Sequence, residues 1–273
     1  MKNKKGIKLR LILFGLLALG MIIVAIFADK FCPFDPLQQD LNSAYLAPDG
    51  VHIMGTDAYG RDMFSRIIMG ARISIISTLS LVAIISIVGT IIGLVCGYFG
   101  GKIDMLVMRI SDMFLAFPGL VFAIAIAAIM GGGVANAVVA LALISWPKYA
   151  RIARSQTLAV KNSTYVTAAV VIGDSHIRIM KNHILPNIWG PILVTAVLDI
   201  GTMLMELAGL SFLGLGAQPP VAEWGSMMST GRSMLQTCPW VVLSPGLAIF
   251  ISVIIFNLFG DSIRDAFDPK LNN

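Results

Sequence analysis

The sequence predicts an all-α membrane protein with six transmembrane helices. Three observations carry that prediction. The 273 residues are 57% hydrophobic and only 13% charged, against about 25% charged in a soluble domain, so part of the solvent is lipid. The apolar residues fall in uncharged runs, and a membrane helix needs about 20 such residues. The Lys and Arg residues divide unevenly between alternate connecting segments, as positive-inside sorting requires. Backbone polar groups inside lipid need internal partners. No strand-like alternation is present, so helices and not a β-barrel are expected.

The first run, residues 11–28, follows Lys2, Lys4, Lys5, Lys8 and Arg10. Residues 29–33, Asp-Lys-Phe-Cys-Pro, lack a small-x-small cleavage site, so a retained span is expected rather than a removed signal peptide. The outer segment that follows carries Asp29, Asp35, Asp40, Asp49, Asp57 and Asp62, partly balanced by Lys30, Arg61, Arg66 and Arg72. Its turns at Gly55-Thr56-Asp57 and Gly60-Arg61-Asp62 predict a short amphipathic helix over 63–73, lying at the membrane surface. Residues 73–101 form the second run. Residues 113–147 are uncharged but too long for one helix, and Gly131-Gly132-Gly133 divides them into a third and a fourth. Residues 184–210 and 241–260 make the fifth and sixth.

With the N-terminus inside, fifteen of the twenty Lys and Arg residues lie on inner segments and five on outer ones. The reverse orientation inverts that ratio, so an N-in, C-in topology is expected. The net charge of +5 follows from this sorting and implies no nucleic-acid partner. Two regions result: residues 1–72, an N-terminal helix with its outer segment, and residues 73–273, a five-helix core with a cytoplasmic loop at 148–188.

That loop is basic and ordered. Ala168, Ala169, Val170, Val171 and Ile172 give a small apolar surface, and Gly173 then permits a turn or close approach. Ile177, Ile179 and Met180 continue an amphipathic pattern. Leu185-Pro186 is expected to end it, because proline disfavours helix at the residue before it. A short helix with a small-residue face can seat in a groove on a partner.

These residues resemble the coupling motif of ABC importer permeases: Glu-Ala-Ala, three residues, Gly, nine residues, then Ile-x-Leu-Pro. Ala168, Ala169, Gly173, Leu185 and Pro186 match it. Thr167 stands in place of the usual Glu, and His183 in place of Ile. The segment 183–187, His-Ile-Leu-Pro-Asn, is similar to the dipeptide, oligopeptide and nickel branch. So are His52–Asp57 with Gly60–Arg66, Leu210–Gly216 with Glu223-Trp224-Gly225, and Asn257–Asp261 with Arg264-Asp265 and Asp268-Pro269. The resemblance implies a type I importer permease fold in a bacterial plasma membrane. It implies coupling to an ATPase through Thr167, Ala168, Ala169, Gly173, Leu185 and Pro186. It also implies four partners: a second homologous permease, two ATP-binding subunits and an extracytoplasmic substrate-binding protein. No G-x-x-x-x-G-K-[ST] pattern occurs, so ATP and Mg are expected on the partners and neither catalysis nor a cofactor on this chain.

Asp199 and Glu206 are the acids well inside an apolar run. An intramembrane carboxylate marks a cavity or pathway by default. Seven residues separate the two, placing them on nearly one helix face about 10 Å apart, with Met203 between. Either they face a substrate path or each bonds a neighbouring helix. A path lined by carboxylates suits a cation or a peptide amine. Leu198-Asp199-Ile200-Gly201 resembles the nickel members, so nickel or another chelated transition metal is the expected cargo, ahead of a dipeptide or oligopeptide. The methionines read as apolar filling. His176 and His183 fall in the inner loop, and His52 on the outer side. Cys32 and Cys238 both face outward, where a disulfide is chemically allowed. A secondary transporter or channel would show an inverted repeat, which the sequence lacks, and a non-transport scaffold leaves the ordered loop unexplained.

Overall fold

Long apolar runs become long helices because a helix satisfies its own backbone where no water can. The computed structural model describes residues 4–267; Lys2, Asp268-Pro269 and Lys270 lie outside them. In order the helices are α1 (Lys4–Ile26), α2 (Ala28–Phe31), α3 (Met63–Phe99), α4 (Gly101–Leu115), α5 (Gly119–Ile129) and α6 (Val134–Val160). They continue with α7 (Thr164–Ile172), α8 (His176–Ile179), α9 (Leu185–Phe212), α10 (Trp224–Gly231) and α11 (Trp240–Phe267). Apart from one isolated bridge between Thr56 and Asp62, the described residues hold no β structure.

Among the described residues, four helical stretches are long and apolar enough to cross a membrane: 6–26, 63–99, 176–212 and 240–267. The bent pair α4 and α5 makes a fifth if it is one span. The expected count of six is therefore not reached by length and composition. The third and fourth expected spans are the reason. Pro118 removes an N–H and pushes Phe117 out of helical geometry, so α4 and α5 meet at 91°. The 11 residues of α5 extend about 16 Å, roughly half a bilayer core. Its successor α6 has 27 residues, but Lys148, Arg151 and Arg154 occupy its second half. The turn expected at the three glycines is present: Gly131, Gly132 and Gly133 all have positive φ.

The expected surface helix over 63–73 is also corrected. Those residues are the first turns of α3, which runs unbroken for 37 residues. Asp62 caps it, accepting from the Ser65 N–H and hydroxyl, each at 2.7 Å. With a strong cap and no proline anywhere between Met63 and Phe99, nothing separates the 63–73 turns from the apolar run that follows.

The core is the seam between α3 and α6. Lipid is as apolar as leucine, so close packing rather than water exclusion holds such helices together. Gly89, Gly93 and Gly97 repeat every fourth residue and face α6. A Cβ on Gly93 would stand 2.1 Å from the Ala150 carbonyl oxygen, and one on Gly89 2.5 Å from Tyr149 Cβ. The absence of side chains is what allows the backbones to touch. On the other side α9 meets α11, where Gly201 accommodates Asn257 and Gly260 accommodates Leu198. Helix α1 lies against α3 and α11. Cys32, Cys96 and Cys238 are free thiols, so the disulfide open to Cys32 and Cys238 is not formed.

Candidate functional site: an intramembrane cavity and a water-facing helical loop

Two places gather the residues singled out from sequence. The first is a cavity of about 220 Å³ between the α4–α5 bend, α6 and α9, with Lys148, Asp199, Met203 and Glu206 in its wall. The seven-residue spacing does bring both carboxylates to one face. Asp199 is 4% exposed. Its Oδ1 accepts from Lys148 Nζ at 2.5 Å and its Oδ2 from the Tyr149 hydroxyl at 2.9 Å. Burial of a carboxylate demands such partners. Adjacent residues of α6 supply both, so Asp199 ties α9 to α6 as well as facing the cavity. Lys148 is half-exposed and presents the rest of its ammonium to the same space.

Glu206 is half-buried, and its carboxylate makes no hydrogen bond among the described residues. Met203 is buried beside it, whereas Met205 points away and is exposed. Lys148 and Tyr149 were not legible as site residues. Lys148 counts in sequence as one more inner-loop cation, and a separation of 51 positions from Asp199 leaves no local signal.

The second place is the loop at 148–188. Thr164–Ile172 forms α7, and Gly173 ends it in the left-handed region at φ 89°. The Gly173 N–H bonds to the Val170 carbonyl and the Asp174 N–H to that of Ala169, the paired bonds of a Schellman cap. Val166 and Ala169 are buried, while Val171, Ile172 and Ile177 are 81%, 82% and 74% exposed. Thr167 and Ala168 share the open side, the Thr167 hydroxyl donating to the Ser163 carbonyl at 3.1 Å.

Below Gly173 the segment folds back on itself. Arg178 donates to Asp174 Oδ1 at 3.0 Å and His183 Nε2 lies 3.4 Å from Oδ2. The hydrogen bond from Arg178, followed by that from His183, holds the Asp174 carboxyl below its ordinary value. The Tyr98 hydroxyl at the end of α3 meets His176 Nδ1 at 2.8 Å.

One expectation fails here. Leu185-Pro186 does not end the helical segment; residues 176–212 form one helical stretch. Met180–Ile184 is a π turn, in which the Leu185 N–H reaches the Met180 carbonyl. The wider turn makes room for the ring of Pro186, and its missing N–H leaves no gap because it falls in the first turn of α9. Proline here re-registers the helix rather than stopping it.

A third set of motif residues is structural. Glu223 is fully buried and caps α10, accepting from the N–H groups of Gly225 and Ser226 and from the Ser74 hydroxyl. Trp224 Nε1 donates to the Ile67 carbonyl at 2.9 Å. The Glu-Trp-Gly triplet thus pins α10 onto α3. On the same side His52 Nδ1 meets Asp62 at 3.0 Å and its ring stacks near Phe34, a turn role rather than a free ligand.

Comparison with known proteins agrees with this architecture. Residues 89–273 match the family model described as binding-protein-dependent transport system inner membrane component. The chain is 44% identical over 260 residues to a glutathione transport system permease protein of Pectobacterium atrosepticum, covering 95% of this chain and 86% of that one. It is 42% identical over 267 residues to a dipeptide transport system permease protein of Alkalihalophilus pseudofirmus, covering 97% and 88%. It is 39% identical over 271 residues to the nickel transport system permease protein of Escherichia coli K12, covering 99% and 96%. Among solved structures, an inward-facing form of the MetNI methionine ABC transporter superposes with a TM-score of 0.60 at 18% identity, over 76% of this chain and 98% of that one. The chain is therefore an ABC importer permease of the binding-protein-dependent transport system inner membrane component family, in the branch whose members include dipeptide, glutathione and nickel permeases.

Proposed function

We propose that this permease subunit carries a short peptide inward, driven by ATP hydrolysed on partner subunits. The observation that carries the cargo reading is the mixed charge of the intramembrane cavity. It presents the Lys148 ammonium, the Asp199 carboxylate already paired to it, and Glu206. A wall with both signs suits a zwitterion with an amine and a carboxylate better than a bare cation, because the pair can neutralise both ends. The glutathione and dipeptide relatives support it. The second reading, nickel or another transition metal held in an organic chelator, rests on the nickel relative that aligns over 99% of this chain. The pathway in either reading runs past Asp199, Met203 and Glu206.

Coupling falls to the exposed apolar side of α7 and the start of α8. Val171, Ile172 and Ile177 are too apolar to face water unaided, and an ATP-binding subunit is the partner that covers them. Thr167, Ala168, Ala169 and Gly173 shape that contact, while Leu185 and Pro186 join it to α9. The assembly consists of this chain, a second permease, two ATPases and an extracytoplasmic binding protein in a bacterial plasma membrane. This chain performs no bond chemistry and holds no cofactor; ATP and Mg sit on the ATPases. Alternating access then follows from differential affinity of two conformations for ATP.

Two measurements test this. ATP hydrolysis by the reconstituted transporter should rise with dipeptides plus binding protein; stimulation by nickel chelates alone overturns the peptide reading in favour of the second. Replacing Val171 by Glu should release the ATPase on co-purification while the two permeases stay together. Retention of the ATPase at full activity would remove α7 from the interface.

A further inference from the structure

A second cavity, about 270 Å³, lies between the 45–66 segment and α10, with Tyr45, Asp57, Arg61, Arg66, Ser226 and Thr230 in its wall. Arg61 and Arg66 are 6% and 4% exposed. Both turn toward one carboxylate. Arg61 Nε donates to Asp57 Oδ2 at 2.7 Å, and Arg66 Nε lies 3.4 Å from the same oxygen. Asp57 Oδ1 is already taken by the backbone N–H groups of Tyr59 and Arg61. Arg66 directs a terminal nitrogen to the Pro36 and Pro220 carbonyls at 3.0 and 3.4 Å. The terminal nitrogens of Arg61 make no hydrogen bond among the described residues, and its guanidinium lies 4.7 Å from the Tyr59 ring centroid.

Two buried guanidinium groups thus share a single carboxylate, leaving one positive charge in excess against the cavity. A buried cation is costly without an anion or solvent beside it. The unused fork of Arg61 matches the two oxygens of a carboxylate, which it can engage by parallel N–H bonds. The hydroxyls of Ser226 and Thr230 donate to the Glu223 and Met227 carbonyls. Their oxygen lone pairs stay available to accept from a peptide N–H.

We propose that this cavity is a carboxylate-binding site, in which Arg61 takes the free C-terminus of a short peptide on the side of the molecule opposite α7. The assignment of the carboxylate to a peptide rests on the cargo reading above; the oxyanion chemistry does not.

The test is equilibrium binding to the purified, intact transporter, using N-acetyl-dialanine, its C-terminal amide and inorganic phosphate. The wild type should bind the acid about tenfold or more tightly than the amide, and Arg61→Gln should bring the two within about twofold. Arg61→Lys keeps the charge but loses the planar fork, so it should retain only part of the preference. It also serves if the Gln variant does not assemble. Equal binding of acid and amide to the wild type overturns the site, as does an undiminished preference in either variant. Phosphate binding as tight as the acid overturns the peptide assignment. Peptide-stimulated ATP hydrolysis together with a preference indifferent to Arg61 removes this inference alone. Stimulation by nickel chelates only, with acid binding still dependent on Arg61, removes the cargo reading alone.

Discussion

Asp199 shows how one side chain can be both support and cavity wall. Changing it to Asn leaves Lys148 facing a neutral amide and weakens the α6–α9 tie. Breaking a fully buried pair costs about 3–5 kcal/mol; with Lys148 half in solvent, about 1–3 kcal/mol is expected. The thermal midpoint of the purified complex should fall for Asp199→Asn and recover partly when Lys148→Met is added, and additive losses would show that the two do not interact. Uptake by Asp199→Asn should also drop, read separately from assembly. Asp174 offers a pH prediction. Its carboxyl is held below the ordinary 3.8 by Arg178 and His183. A depressed carboxylate stabilises above its unfolded value and loses that contribution as pH falls through the folded one. Protection factors of the backbone amides around residues 173–179, with intrinsic exchange divided out, should therefore be constant above about pH 4 and fall below it, and Asp174→Asn should abolish that acid-side change. Asp199, Met203 and Glu206 were legible as a group because helical periodicity is local. Lys148, Tyr149 and the Arg61 fork were not, because their partners lie on other elements or in irregular backbone.

At the level of elements, the glycine repeat of α3 makes a sharp prediction. Gly93→Leu should separate α3 from α6 and cost roughly 3 kcal/mol or more, at or beyond the upper end of overpacking penalties, since the Ala150 carbonyl cannot retreat like a side chain. The measure is yield of monodisperse complex in detergent; a normal yield would show that the seam is loose. The ends of α3 and of the 176–212 stretch were the parts hidden from sequence reading. Hydrophobic runs report where lipid is, not where a helix stops. Asp62 caps α3 about three turns before its uncharged run begins, and a π turn lets a helix pass Pro186 that a rule based on proline alone would end. Pro118 acts the opposite way: no π turn accompanies it, and α4 and α5 diverge.

For the whole molecule, charge sorting predicts that the helical loop faces the cytoplasm. A membrane-impermeant maleimide added to intact cells should label Ser43→Cys and spare Val171→Cys, and labelling of Val171→Cys would invert the topology. Fold class and family were readable because composition and ordered motifs extend over nearly the whole chain. Cargo was not, because relatives of similar identity are permease proteins of glutathione, dipeptide and nickel transport systems.

Helix α3 runs without a break from Met63 to Phe99. At 37 residues it is about 55 Å long, well beyond a bilayer core of about 30 Å. At one end Ser65 accepts from the Phe34 N–H and Arg66 donates to the Pro36 carbonyl, and at the other Tyr98 meets His176. A stiff strut fixed at both ends cannot pivot at one without displacing the other. In the importer proposed above, solute at one end of α3 and nucleotide binding beyond the other would act through a single tilt of this helix, with no relay of intermediate contacts required.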